Sequence, residues 1–124
     1  MIAIGTDIVT VARVEEVWRR HGDRFVERIL TAPERERCAQ LAEPWRFLAR
    51  RFAAKEAIAK ALGCGIGVRL SWQDMRIENN GEGAPRVHLT TRGLALAAEQ
   101  GGARVLLSIS DEREYALAFA ALVA

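Results

Sequence analysis

Cysteine, proline and aromatic residues are all scarce in this 124-residue chain: two Cys, three Pro and 6% aromatics. Two cysteines are too few for a disulfide framework. With only His21 and His88 beside them, they also offer no paired ligand motif for zinc, so Cys38 and Cys64 are expected to be reduced thiols. The aromatics are too sparse for a base-stacking platform, which argues against a nucleic-acid-binding module. No apolar run is long enough to cross a bilayer, and the opening Met1-Ile2-Ala3-Ile4 lacks the basic start of a signal peptide. The expectation is a cytoplasmic protein with no membrane or nucleic-acid partner. What the chain does have is a globular balance, 50% apolar and 27% charged, and a length that gives one domain over residues 1–124.

Lysine is rarer still. The 18 basic residues include only Lys55 and Lys60, five positions apart in one segment. Charge is also unevenly divided, because residues 1–60 carry 12 Arg/Lys against 9 Asp/Glu and residues 61–124 carry 6 against 7. The positive excess lies in the first half, where Arg13, Arg24 and Arg28 fall near the expected first helices.

Local patterns predict a mixed α+β fold: a small, mostly antiparallel sheet packed with helices, one of them long and central. Ile2, Ile4 and Ile8 alternate with small residues, so residues 2–8 read as a first strand in the core, with Asp7 near its end. Thr10 is a plausible N-cap for a helix carrying Val11, Val14, Val17 and Trp18, with Arg13, Arg19 and Arg20 on its exposed side. A short helical piece from Asp23 to Leu30 follows. Thr31-Ala32-Pro33-Glu34 has capping-box spacing and opens a helix to about Ala42. The longest helical signal runs from Trp45 to Leu62 and stops at Gly63-Cys64-Gly65-Ile66-Gly67. Met75/Ile77 and Val87/Leu89 flank a turn-rich tip as a hairpin, and Thr91 to Gln100 reads as an alanine-rich helix. Two strands end the chain, Arg104–Ser110 and Tyr115–Val123. The last is apolar on both faces, which points to burial within the protein or in an oligomer.

Wound at about 100° per residue, the long helix collects Phe47, Leu48, Phe52, Ile58, Ala59 and Leu62 on one arc, with Arg51 and Lys55 inside it. Glu56 and Lys60 lie at its edge beside Ala49, Ala53 and Ala57, small neighbours that let a backbone or ligand approach. Two readings stand here. Glu56 and Lys60 form an ordinary i,i+4 surface pair while Arg51 and Lys55 snorkel outward, or these cations offer charge to a phosphate. Asp7 is likewise either a helix cap or, if it meets Glu56, half of a two-carboxylate site suited to Mg²⁺. The glycine turn either caps the helix or supplies free N–H groups to a phosphate.

Together these residues resemble a known family. Gly5-Thr6-Asp7-Ile8, Arg28-Ile29-Leu30-Thr31 with Glu34, Arg51-Phe52-Ala53-Ala54-Lys55-Glu56-Ala57 with Lys60, and Gly63-Cys64-Gly65-Ile66 are similar to the holo-acyl-carrier-protein synthase family of phosphopantetheinyl transferases. The likeness continues through Gly83-Ala84-Pro85 and Ser108-Ile109-Ser110 to Tyr115-Ala116, in order and over essentially the whole chain. It implies an enzyme of fatty acid biosynthesis that moves the 4′-phosphopantetheine arm of coenzyme A onto a serine of apo acyl carrier protein, releasing adenosine 3′,5′-bisphosphate. It further implies Asp7 and Glu56 as ligands of Mg²⁺, with Mn²⁺ as the alternative cation. Glu56, Lys60 and Asp7 would be the catalytic set, with either Glu56 or a water accepting the serine proton. Arg51, Lys60, Gly63, Gly65, Ile66, Pro85 and Ser110 would contact coenzyme A, and Arg13, Arg24 and Arg28 would meet the acidic carrier. Family members are typically homotrimers with active sites between subunits. The competing class is a non-catalytic, trimeric coenzyme A-binding scaffold, which would have no need of Asp7 and Glu56 together. Two positions depart from the family pattern: Cys64 stands where Thr or Ser is common, and Asp111 where many relatives have His.

Overall fold

The computed structural model describes all residues from Met1 to Ala124. In chain order its elements are β1 (Ala3–Thr10), α1 (Val11–His21), α2 (Asp23–Ile29), α3 (Ala32–Cys38), α4 (Pro44–Ala61), a 3₁₀ turn (Trp72–Asp74), β2 (Met75–Asn79), β3 (Pro85–Leu89), α5 (Thr91–Glu99), β4 (Arg104–Asp111) and β5 (Tyr115–Val123). A three-stranded antiparallel sheet has the order β1-β5-β4, and β2 and β3 form a separate antiparallel hairpin. The α+β architecture with one long central helix is therefore present. No helix is long and apolar enough to cross a membrane.

The helix α4 is central because it is buried almost all round. Phe47, Leu48, Ala53, Ala57 and Ile58 are all nearly or wholly inaccessible. Its alanine row permits an unusually close seat on the sheet, and the sheet answers with small residues of its own. Ala116, Ala118 and Ala120 of β5 face the helix, as does Gly5 of β1, which pairs with Ala120. A Cβ at Gly5 would lie 2.1 Å from Ala57 O and 2.7 Å from Ala61 N, so only glycine allows this contact.

That packing reverses the expected orientation of β1. Ile2, Ile4 and Ile8 point away from the core and are 41%, 54% and 60% exposed, because the larger side chains cannot fit beneath α4. Leu117 and Phe119 of β5 and Leu106 of β4 share this open face with Ile4 and Ile8, Leu117 lying opposite Ile8, Phe119 opposite Thr6, and Leu106 and Ile4 on either side of Ala121. The last strand is thus buried on its alanine side and uncovered on its large apolar side. Asp7 also differs from expectation. It lies within the strand, opposite Ala118, on the face that α4 covers.

Helix boundaries differ in smaller ways. The Thr10 side chain makes no cap hydrogen bond, and the first helical N–H, from Val11, donates instead to Glu114 O at 2.9 Å. α3 stops at Cys38 rather than near Ala42, since turns at Gln40 and Leu41 bond back to Arg37 and Cys38. Only half of its capping box forms: Glu34 Oε1 accepts from Thr31 N at 2.8 Å, while Thr31 Oγ1 is buried without a partner.

Candidate active site

Asp7 comes from mid-strand in β1 and Glu56 from the middle of α4, and both line one groove with Arg13, Phe25 and Phe52. The Gly5 contact produces this meeting, because it brings the β1 backbone against the turn of α4 that bears Glu56 and Lys60. Lys60 Nζ donates to Thr6 O at 2.8 Å and to Asp7 Oδ1 at 3.3 Å. The i,i+4 pair with Glu56 expected from spacing does not form; Lys60 turns to the strand instead. Asp7 Oδ2 is buried and has no hydrogen-bond partner. Burial raises the Glu56 carboxyl above its ordinary range, the Asp7 charge raises it further, and Lys60 opposes both.

The end of α4 is built as a Schellman cap. Gly63, at φ 76°, lets its N–H reach Lys60 O at 3.0 Å and the Cys64 N–H reach Ala59 O at 3.3 Å. These two amides are consumed by the helix. The free donors of the turn lie one residue further on, because the N–H groups of Gly65 and Ile66 have no acceptor within the chain. Desolvation pushes the Cys64 thiol above its usual range, so it remains protonated.

Two cations read from sequence as phosphate contacts are not at this groove. Lys55 is fully buried, donating to Ile29 O and Glu34 Oε1 at 2.7 Å each and to Trp72 O at 3.1 Å. Arg51 is 2% exposed, lies over the Phe47 ring at 4.5 Å and faces Glu34 at 3.8 Å. Burial holds its pKa down to about 10; the Glu34 charge resists this, whereas Arg50 and Arg37 add to it. Neither side chain snorkels, because Glu34 is buried with them. Glu34 is the residue that sequence reasoning undervalued: beyond its cap bond, its Oε2 accepts from Ile77 N at 2.8 Å. Its signal was present in the sequence, an acidic residue at capping-box spacing in a family-like segment, but nothing local announced the buried lysine.

One chain does not bring Pro85 or Ser110 to the Asp7 groove. Pro85 opens β3 and lines a separate groove with Val87, Arg104 and Leu106. Ser110, opposite Leu117, lies on the uncovered side of the sheet. Arg13, Arg24 and Arg28 are exposed and form no ion pair, whereas Arg19 and Arg20 pair with Glu15 and Glu16 at 2.7 and 3.3 Å. Asp111 faces Arg50 at 3.5 Å, a weak contact that ties the end of β4 to α4.

Residues 3–120 match the family model of the 4'-phosphopantetheinyl transferase superfamily. The chain is 49% identical over 118 residues to holo-[acyl-carrier-protein] synthase of Shewanella frigidimarina, covering 95% of this chain and 94% of that protein. Among solved structures, the synthase of Neisseria meningitidis is 40% identical with a TM-score of 0.92, each chain covered fully. The Helicobacter pylori enzyme, solved in complex with coenzyme A, is 33% identical with a TM-score of 0.84, covering 96% of this chain and 98% of that one. The chain belongs to the holo-[acyl-carrier-protein] synthase family of phosphopantetheinyl transferases.

Proposed function

We infer that this protein transfers 4′-phosphopantetheine from coenzyme A to a serine hydroxyl of an apo acyl carrier protein, leaving adenosine 3′,5′-bisphosphate. The observation that carries the reading is the convergence of Asp7, Glu56 and Lys60 on a chain of this family. A non-catalytic scaffold has no use for a partly desolvated carboxylate pair, whose mutual repulsion costs stability.

The site fits a divalent cation. Two carboxylates are the usual protein share of a Mg²⁺ site, the remaining positions going to water and substrate phosphate, and Mn²⁺ accepts the same hard oxygens. Asp7 Oδ2, buried without a partner, is the atom such an ion would satisfy. When bound, the cation supplies neutralisation of the pyrophosphate charge. The chain's own residues then have distinct tasks. Lys60 stands beside Asp7 to balance negative charge on the transferred and leaving groups, and the Gly65 and Ile66 amides hold a phosphate. Glu56, which lines the groove with Asp7, or a water held there is the candidate acceptor for the serine proton. Positioning and charge balance dominate phosphoryl transfer, and this set provides both.

Arg13, Arg24 and Arg28, free of acidic partners, form the landing surface for an acidic carrier. The uncovered apolar sheet face supports a homotrimer, because a contiguous patch that includes Ile4, Ile8, Leu117 and Phe119 is unusual on a free-standing chain. Ser110 lies on that same face and Pro85 in a second groove, so both would serve a site only across a subunit boundary. Arg51, buried over the Phe47 ring and 3.8 Å from Glu34, has no share in coenzyme A binding in this reading. The setting is cytoplasmic fatty acid synthesis, where coenzyme A and apo carrier occur together.

The direct test is the intact mass of an apo acyl carrier protein after incubation with the protein, coenzyme A and Mg²⁺. A gain of one phosphopantetheine, abolished by EDTA and by Glu56→Gln, is expected. Coenzyme A binding with no mass gain on several apo carriers would leave the scaffold.

A further inference from the structure

The loop that follows α4, residues 63–70, holds itself together poorly. Beyond the helix cap its one internal backbone bond runs from Gly67 N to Leu70 O at 2.8 Å. Its remaining polar ties come from α5 and the residue after it. Arg92 Nε donates to Arg69 O at 2.7 Å, and Arg92 Nη2 donates to Val68 O. Arg69 Nη2 reaches both carboxylate oxygens of Glu99, at 2.7 Å each. Gln100 Nε2 approaches Ala61 O at 3.4 Å, and its amide lies where a Cβ on Gly63 would be.

The clasp has a firm base. Leu96 and Ala97 fix α5 in the core, and Thr90 Oγ1 accepts from Gly93 N at 3.3 Å. Asp74 Oδ1 accepts from Thr90 Oγ1 at 2.7 Å, while its Oδ2 accepts from Ser71 N at 2.8 Å and lies 3.7 Å from Arg92 Nε. The Arg92 guanidinium is thus held on one side by a fixed carboxylate and on the other holds two loop carbonyls.

We propose that Arg92 and Glu99 are positioning residues for coenzyme A: the α5 clasp sets the orientation of the Gly65 and Ile66 N–H groups before the phosphate arrives. This rests on the reading of that turn as a phosphate cradle. Neither side chain touches the substrate in this role. Hydrogen bonds weaken steeply as they bend, so an anion held by two backbone amides depends on loop geometry. A loop ordered in advance spares the ligand the entropy of ordering it, and the benefit falls on donor binding alone.

The test is calorimetric titration of the purified full-length protein with coenzyme A, alongside steady-state kinetics and thermal melting. The variants are Arg92→Ala, Arg92→Lys and Glu99→Gln, with Arg20→Ala as an exposed control. Arg92→Ala should weaken coenzyme A binding and raise its KM about tenfold, roughly one charge-assisted hydrogen bond. The carrier KM, kcat and melting temperature should hold. Arg92→Lys should restore part of the affinity, and Glu99→Gln should show a smaller loss. Wild-type strength in both Arg92→Ala and Glu99→Gln overturns the clasp while leaving the transferase reading intact. A parallel loss in carrier KM, kcat and melting temperature overturns it too, because that is general destabilisation. If the wild type itself neither binds coenzyme A nor modifies a carrier, the functional reading fails and the clasp with it.

Discussion

Lys55 Nζ and Glu34 Oε1 lie 2.7 Å apart in the interior, both side chains essentially inaccessible to water. The pair is complete on every side: Lys55 also donates to Ile29 O and Trp72 O, and Glu34 also accepts from the Thr31 and Ile77 amides. It therefore ties α3, α4, the 3₁₀ turn and β2 at one point, one residue from Glu56. Burial pulls the Lys55 pKa down, and the Glu34 charge and hydrogen bond pull it back.

Removing one partner leaves the other charge stranded. Lys55→Met or Glu34→Gln alone should cost about 3–5 kcal/mol in urea unfolding, and the double variant should lose far less than the sum of the two. Additive losses would show that the two groups act separately. Arg51, at 3.8 Å from Glu34, should soften the Lys55→Met loss more than the Glu34→Gln loss.

Gly5 is the hinge between fold and site. Gly5→Ala places a methyl 2.1 Å from Ala57 O, which neither backbone can absorb without β1 moving from α4. Stability should fall by more than 2 kcal/mol, on the order of other overpacked core sites. Transfer activity should fall with it, since Thr6 O and Asp7 would leave Lys60. Gly81→Ala, with open space around it, is the control and should match wild type in melting and in rate.

These two contacts also show what a sequence reader can and cannot see. α4, the hairpin and α5 announce themselves through period, glycine stops and turn residues, and their ends agree to within a residue or two. The inward face of β1 does not. Hydrophobicity assigns Ile4 and Ile8 to the core, yet the face turned to the close alanine-lined helix is Ala3, Gly5, Asp7 and Val9, and that depends on a segment some fifty residues away. Lys55 is misjudged for a similar reason: its acceptors come from residues 29, 34 and 72. That Asp7, Glu56 and Lys60 lie together was legible because a family pattern, unlike periodicity, carries tertiary information. The Arg92 clasp had no such pattern to reveal it.

The Glu56 carboxyl predicts a pH dependence of stability with a definite sign. Between its ordinary value of 4.5 and its raised value in the fold, the native state binds more protons than the unfolded chain. Stability without metal should therefore fall as pH rises through that window, and the slope should shrink in Glu56→Gln. Above the window the ionised pair favours a cation, so Mg²⁺ should raise the melting temperature near neutrality by binding the native state alone. Melting curves from about pH 4 to about pH 8, with EDTA and with Mg²⁺, check both parts. Equal metal stabilisation in Asp7→Asn would place the ion elsewhere.

Carrier docking should be electrostatic. Reversing charge at Arg13, Arg24 and Arg28 should raise the carrier KM at low salt by about one to two orders of magnitude, and for the Arg24 and Arg28 reversals, away from the Asp7 groove, the coenzyme A KM should be unchanged. The difference from wild type should narrow as salt is added. An unchanged carrier KM at low salt would remove these arginines from the interface. Arg19 and Arg20, already paired within α1, should have much weaker effects.

The open sheet face carries the prediction about assembly. Phe119 and Leu117 are 44% and 42% exposed at the centre of a three-stranded sheet, flanked by Ile8 and by Leu106. Covering the part of such a side chain that is still open stabilises by roughly 1 kcal/mol, under half of a full burial, so several together can hold subunits against the entropy of association. Sedimentation of the wild type should give three times the 13.7 kDa chain mass. Phe119→Asp should shift the protein to the single-chain mass with its circular dichroism retained, because the residue faces away from α4. If Ser110 and Pro85 act across the boundary, the dissociated variant should lose transfer while Asp7 and Glu56 remain in place. A wild type that sediments as one chain and still transfers phosphopantetheine would make the site complete in a single subunit and leave the apolar face without this role.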